Sequence, residues 1–308
     1  MKKFSGPPEL QIHGWLNVYK PSGINSTRVV TIVRHALSKI KIGHGGTLDP
    51  LAEGVLPLAL GEATKTSNYL MDKIKTYEFE ITWGSQTATD DSEGEVVELS
   101  DYRPDQDTIL QALPAFTGTI EQTPPNYSAV WVDGRRAYAL ARNNKTMELK
   151  SRQVSVQAFQ LVKVVDKDRA LFEVTCGKGT YIRSLARDLA LYLGTRGHIS
   201  KLKRVRVGKF LQTEAISLEK IQELGHKVLS MGYVYSIADV LDDIPAVCVN
   251  AEQQALLVHG HTIGLTPQQA DGLAPGTVLC KQDQGKSIAI GAYNSGFVKP
   301  NRVFNKIF

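Results

Sequence analysis

The sequence predicts an α+β fold with a mixed, largely antiparallel sheet, followed by a small β-rich C-terminal domain. Three observations lead there. Segments that alternate apolar and polar residues, such as TYEFEITWG and SVQAFQLVKVV, recur along the chain. The helical patterns between them, among them YIRSLARDLALYLG, lack the regular strand-helix-strand period of a doubly wound sheet. Beyond residue 243, short apolar runs are separated by glycine turns, the pattern of a small barrel of roughly 65 residues.

Taken in order, GWLNVYKP alternates and stops at a proline, as a strand entering a turn does. Asn25 and Ser26 can cap a helix whose Val29, Ile32, Val33, Ala36 and Leu37 share one face. Residues 43–54 form a loop, VLPLAL a short buried strand, and residues 62–71 a helix. TYEFEITWG is a strand and QTATDDSEG its hairpin-like loop. A helix follows Pro104, then the bend QTPPNYSA and a short helix through RRAYALARNN. Two further strands, SVQAFQLVKVV and LFEVTCG, precede an amphipathic helix with Leu185, Leu189 and Leu193 spaced by four. Gly194 and Gly197 end that helix, and the basic segment behind it is a strand. A short helix near residues 237–243 and the DDIP turn mark a boundary, giving domains 1–243 and 244–308. In the second, PAVCVNAEQQALLVHGHTIGL, GTVLCKQ, GKSIAIGAY and GFVKPNRVF are expected to be short strands.

The composition is that of an ordinary globular protein: 308 residues, 42% hydrophobic and 22% charged. MKKFSGPPELQ has no apolar run behind its lysines and no long apolar stretch occurs elsewhere, so neither export nor a membrane span is expected, and a cytoplasmic chain is the default. Cys176, Cys248 and Cys280 are far apart, and His259-x-His261 has no acidic or thiol partner nearby, so no disulfide framework and no metal is expected. The net charge of +5 is mild, but its distribution is uneven. RGHISKLKRVRVGK carries Arg196, Lys201, Lys203, Arg204, Arg206 and Lys209 without a carboxylate, and the tail adds Lys286, Lys299, Arg302 and Lys306. Such runs are either solvated faces or tracks for a phosphate backbone.

The stretch KIGHGGTLDPLAEGVLPLALGEATK holds one aspartate, Asp49, in a glycine-rich turn. It has neither the Gly-Lys-Ser/Thr ending of a P-loop nor the spacing of a dinucleotide-binding turn. Asp-Pro is a common turn starter, so the pattern alone fits a structural Asx turn as well as a carboxylate held in a cleft. Tyr77 at a strand start, and Tyr181 and Arg183 at a strand-to-helix junction, each have an ordinary packing or solvation reading.

GHGGTLDPLAEGVLPLALGEATK nevertheless closely resembles the catalytic motif of the TruB family of tRNA pseudouridine synthases. VYKPSG, TYEFEITWGSQTATDDSEG, TPPNYSAVWVDGRRAYALAR, CGKGTYIRSLARDLA and GHISKLKRVRVGKF follow in family order. The resemblance implies isomerisation of uridine-55 to pseudouridine in the TΨC loop of tRNA by base flipping. It implies Asp49 as the essential acid, Tyr77 as the residue that stacks on the flipped uracil and is implicated in proton removal from C5, and Arg183 as a bidentate partner of Asp49. Asp91 would support that arginine, with Asp90 as its rival. His44 would help extrude the base, Lys20 and Pro21 would buttress the loop, and Tyr181 and Leu202 would line the uracil pocket. It further implies an RNA-covering insertion at about 123–152, a PUA-like RNA-binding domain at 244–308, no cofactor, and a monomer acting on the tRNA stem-loop without an obligatory protein partner. Two alternatives stand beside this: a non-catalytic tRNA-binding or folding chaperone, and a guide-RNA-dependent relative.

Overall fold

The computed structural model describes residues 12–38, 40–128, 130–132, 134–141 and 149–305. Its main sheet runs in the order Ile216–Ser217, Gly14–Lys20, Glu53–Leu60, Gly197–Val207, Lys75–Trp83, Arg169–Cys176, Arg152–Asp166 and Gly118–Gln122. Within this sheet the first pair is parallel, and so is Glu53–Leu60 with Gly197–Val207; the other neighbours along this order are antiparallel. The mixed, largely antiparallel α+β class is the observed one.

One pairing governs the surroundings of Asp49. Strands Glu53–Leu60 and Gly197–Val207 touch in register only at Lys203 with Glu53 and Arg204 with Gly54. On its other side Arg204 lies opposite Tyr77, and Leu202 opposite Phe79. The parallel contact is therefore a two-residue clasp at the end of the Asp49 turn. Arg204 lies between that turn and the Tyr77 strand.

The helix Ser26–Ala36 is capped by Asn25, whose side chain accepts the Arg28 N–H at 2.8 Å. Val29, Val33 and Leu37 from its inner face join the main core with Leu16, Phe79 and Phe172. The helix Ile182–Tyr192 closes the same core through Leu185 and Leu189, both wholly buried. The helix expected at residues 62–71 is instead a 3-10 segment, Gly61–Thr66, followed by Ser67–Asp72. Thr64 and Thr66 donate their hydroxyls to the carbonyls three residues back, Gly61 and Ala63, which favours the tighter turn.

The C-terminal region forms a five-stranded sheet in the order Ala246–Cys248, Gly276–Lys281, Ser287–Asn294, Phe297–Val303 and Ile263–Gly264. The first segment is not all strand as expected: Ala251–Val258 is a helix. Asn250 accepts the Gln253 N–H at 2.8 Å and Gln253 accepts the Asn250 N–H at 3.1 Å, a reciprocal capping box that N-A-E-Q spells in the sequence. Among the described residues no helix is long and apolar enough to cross a membrane. The leader 1–11, Lys306 and, within the expected insertion, residues 129, 133 and 142–148 lie outside the described residues.

The two regions share a core. Leu279, Ile290 and Phe304 from the C-terminal region pack in one cluster with Trp15, Val55, Ala59, Val207 and Phe210 of the large sheet. Phe304 is wholly buried there. Phe304→Ala is expected to cost about 3 to 5 kcal/mol. Urea unfolding followed by tryptophan fluorescence and by far-UV circular dichroism should move to lower denaturant together in the variant. Separate transitions for the two signals in the wild type would contradict a shared core.

Candidate active site

The turn bearing Asp49 is held from several directions. Ser26, expected only to cap a helix, reaches across to residue 48: its hydroxyl accepts the Leu48 N–H at 2.9 Å and donates to the Leu48 carbonyl at 3.1 Å. The Gly23 N–H donates to the Pro50 carbonyl at 2.9 Å, and the Ser22 hydroxyl to that of Leu51 at 2.8 Å. Two of the turn's glycines are there for close packing. A Cβ on Gly45 would sit 2.3 Å from a Leu70 methyl carbon and 3.0 Å from the Trp15 ring. Gly54, at φ +106°, lies against the Arg204 main chain, where a Cβ would meet the carbonyl oxygen at 2.3 Å.

Lys20 is wholly buried beneath this turn. Its ammonium donates to the carbonyls of Ile24 at 2.5 Å, Pro21 at 2.9 Å and Pro50 at 3.2 Å. Burial pushes its pKa down to about 8; Asp49 and Glu93 oppose the shift, and Arg204 adds to it.

Arg183 is the hub. Its Nε donates to Asp49 Oδ2 at 2.9 Å, Nη1 to the Thr89 carbonyl at 2.9 Å and Nη2 to the Tyr127 carbonyl at 3.0 Å. The bidentate pair expected with Asp49 is thus a single hydrogen bond, because both terminal nitrogens are committed to main-chain carbonyls. Asp91 Oδ2 lies 3.7 Å from the same Nε. The Arg183 and Asp91 side chains are 6% and 4% exposed, whereas that of Asp49 is 37% exposed, so the pair opens outward through Asp49. Asp91 is itself fixed by the Thr89 hydroxyl at 2.5 Å and the Glu93 N–H at 3.0 Å. Asp90, its rival in the sequence, turns away at φ +59° and pairs with Arg187 at 2.9 Å.

Tyr77 is half-buried in the wall beside this pair. Burial pushes its phenol pKa up, and Arg204 opposes the shift. At neutral pH it therefore offers a stacking face and a hydroxyl rather than a resting phenolate. His44 is half-buried, and burial reinforced by Arg204 pushes its imidazole pKa down, which keeps it neutral. Its Nδ1 is enclosed without a hydrogen-bond partner. Leu202 is buried in the core cluster against which Tyr77 packs. Tyr181 precedes the Arg183 helix and is held by its main chain: its N–H donates to Gln122 Oε1 at 2.8 Å, and Gln122 Nε2 donates to its carbonyl at 3.1 Å. The Arg152 guanidinium lies 5.1 Å from the centre of its ring. On the rim, burial followed by Asp91 and Asp49 pushes the Glu93 carboxyl pKa up.

Most side chains of the basic segment have partners within the chain. Arg196 pairs with Glu98 at 2.5 Å, Lys201 with Glu80 at 3.2 Å and Lys203 with Glu53 at 3.5 Å. Arg206 Nε donates to the Gly208 carbonyl and Lys209 to that of Asp239. The carboxylates come from neighbouring strands, so their absence along the run did not mean unpaired charge. Arg204 does not belong to a surface at all, being 1% exposed. Arg204, Ser26 and Gln122 are the site residues that sequence reasoning missed. The spacing of two between Leu202 and Arg204 was a usable signal, since both lie on one face of a strand.

The family description "TruB family pseudouridylate synthase (N terminal domain)" matches residues 34–182, and "tRNA pseudouridylate synthase B C-terminal domain" matches residues 183–230. A Rhodospirillum rubrum protein described as tRNA pseudouridine synthase B is 46% identical over 300 residues, covering 96% of this chain and 97% of its own. The Agrobacterium fabrum protein of the same description is 43% identical over 305 residues, covering 97% and 96%. Among solved structures, a Cbf5-Nop10-Gar1 complex contains a chain with a TM-score of 0.72 at 26% identity, covering 94% of this chain and 84% of that one. An H/ACA RNP bound to a substrate RNA containing 2'-deoxyuridine contains another with a TM-score of 0.72 at 23% identity, a likeness of fold that spans 97% of this chain and 88% of that one. With matched segments that run without a break from the first strand's helix past the Arg183 helix, and relatives alike from end to end, the chain belongs to the TruB family of pseudouridylate synthases.

Proposed function

We propose that the protein isomerises uridine to pseudouridine in tRNA, at position 55 of the TΨC loop, with Asp49 as the reacting group. The observation that carries this reading is the Arg183–Asp49 pair, buried on the arginine side and open on the carboxylate side. The long similarity to proteins described as tRNA pseudouridine synthase B supports the substrate class.

Substrate and product are isomers. The C1'–N1 bond breaks, the uracil turns, a C1'–C5 bond forms, the C5 proton leaves and N1 gains one. The balance needs no redox equivalent, and one aimed carboxylate has three routes open to it: attack at C1', attack at C6, or removal of the 2' proton. Arg183 fixes the direction of that carboxylate, and Asp91 balances the arginine in a poorly solvated site.

A base must leave its stack to reach Asp49, at a cost of a few kcal/mol. Stacking on Tyr77 returns about 1 to 3 kcal/mol. A neutral His44 can enter the space the base leaves without carrying charge into the RNA stack. Leu202 and Tyr181 supply the apolar wall of the uracil pocket. The region 244–308 is assigned as a PUA-like RNA-binding domain and residues 123–152 as an insertion over the stem-loop, with the chain acting as a monomer. Unlike a binder or chaperone, an enzyme of this kind needs the acid itself.

Site-resolved pseudouridine mapping on an unmodified tRNA transcript treated with the pure protein tests the proposal. Product should appear in the TΨC loop alone, and Asp49→Asn should lower the single-turnover rate by about 10³-fold or more while still binding the transcript. Product formed at the wild-type rate by the variant would remove Asp49 from the reaction. Product outside the TΨC loop would overturn the position.

The Lys20 cage makes a second prediction. Below about pH 8 the ammonium supplies three N–H groups to three carbonyls; above it, the neutral amine supplies two and its charge is lost. The rate should therefore fall as pH rises through about 8. Lys20→Met should be slower, by about 10-fold, and should lack that alkaline limb. Lys75 also has a pKa pushed down to about 8, but its ammonium donates to the carbonyls of Met71 and Lys73 away from the turn, so Lys75→Met should keep the limb.

A further inference from the structure

Arg204 is almost wholly buried, and its guanidinium donates to three main-chain carbonyl oxygens, with the Tyr77 phenol as a further neighbour and no carboxylate partner among the described residues. Nη2 donates to Gly46 at 3.0 Å, Nη1 to Thr47 at 3.3 Å and Nε to Val55 at 2.8 Å. Residues 46 and 47 precede Asp49 and residue 55 follows it, so one planar guanidinium ties the two ends of the turn together. The main chain of the same residue clasps Gly54 from below, through the register pair and the close approach that only a glycine allows. Its other neighbour across the sheet is Tyr77.

We propose that Arg204 is a positioning residue for Asp49, acting through the three-way geometry of its guanidinium on the turn and not through charge alone. The proposal rests on the reading of Asp49 as the reacting group. A guanidinium presents its donors in a fixed fork, so three carbonyls that point at it are locked relative to one another. A lysine in its place keeps the charge but offers a single nitrogen on a flexible stem and cannot span residues 46, 47 and 55 at once. A methionine keeps the volume and loses both charge and donors. An aspartate displaced by about 1 Å loses on the order of 10²-fold in rate without any change in what holds the RNA.

The test compares wild type, Arg204→Lys and Arg204→Met in four measurements: single-turnover pseudouridine formation on a tRNA transcript, transcript affinity, thermal midpoint, and amide hydrogen exchange of the peptide spanning residues 45–52. Both variants should lose about 10²-fold in rate with affinity within about threefold of wild type, and exchange should rise in residues 45–52 while the Arg183 helix stays protected. Arg204→Met should also move the alkaline limb upward, because a cation that depresses the Lys20 pKa is gone, whereas Arg204→Lys should leave it in place. A wild-type rate in Arg204→Lys would overturn the geometric claim. So would an affinity loss equal to the rate loss, or unchanged exchange in residues 45–52. Should Arg204→Met fail to fold, Arg204→Lys alone still decides. If the wild type forms no pseudouridine, the functional reading fails, while the exchange comparison still reports whether Arg204 orders the turn.

Discussion

Everything at the site depends on how buried positive charge is compensated. Lys20, Arg183 and Arg204 are each at least nine-tenths removed from solvent, and each is anchored largely by main-chain carbonyls. Burying a cation without partners is prohibitive, and carboxylate partners would be the usual answer. Here carbonyls take that place for Lys20 and Arg204, and for two of the three nitrogens of Arg183. The consequence is chemical. If every buried cation had its own acid, Asp49 would be one carboxylate among several; with carbonyl cages, Asp49 is the partner of Arg183 that opens to solvent, with Asp91 enclosed behind the arginine.

The carbonyl cages also couple sequence-distant segments. Residues 20–26, 46–55, 89–91, 127, 183 and 204 meet through them, and no two adjacent members of that series come from the same secondary-structure element. A donor aimed at a main-chain carbonyl constrains the path of the chain more directly than a bond between two flexible side chains does. A site built this way is preorganised by the fold itself, which is where electrostatic and orientational contributions to rate originate.

This explains what was legible in the sequence. The strand Lys75–Trp83, the capped helix after Asn25 and the Leu185–Leu189 face follow from local periodicity and capping, and the structure has them. Asp49 and Arg183, singled out from separate motifs, meet in the structure at 2.9 Å. Arg204 was hidden in a run of bases, because its burial comes from which strands flank it, a long-range pairing that no local pattern encodes. Ser26 was hidden for a related reason. It stands at a capping position, and only the approach of the Asp49 turn gives its hydroxyl another partner. The helix Ala251–Val258 is a different case, since its capping box was present in the sequence and was outweighed by the glycine-spaced strands around it.

The same pairing order links the site to the C-terminal region. Val55, whose carbonyl takes Arg204 Nε, sends its side chain into the cluster that holds Leu279, Ile290 and Phe304. Val207, three residues beyond Arg204, joins it from the neighbouring strand. One face of the Gly54–Val55 junction thus holds the Asp49 turn while the other is sealed by the C-terminal region. Loosening the contact in this cluster would relax the strand that supplies the Val55 carbonyl, so the C-terminal region supports the turn as well as adding surface.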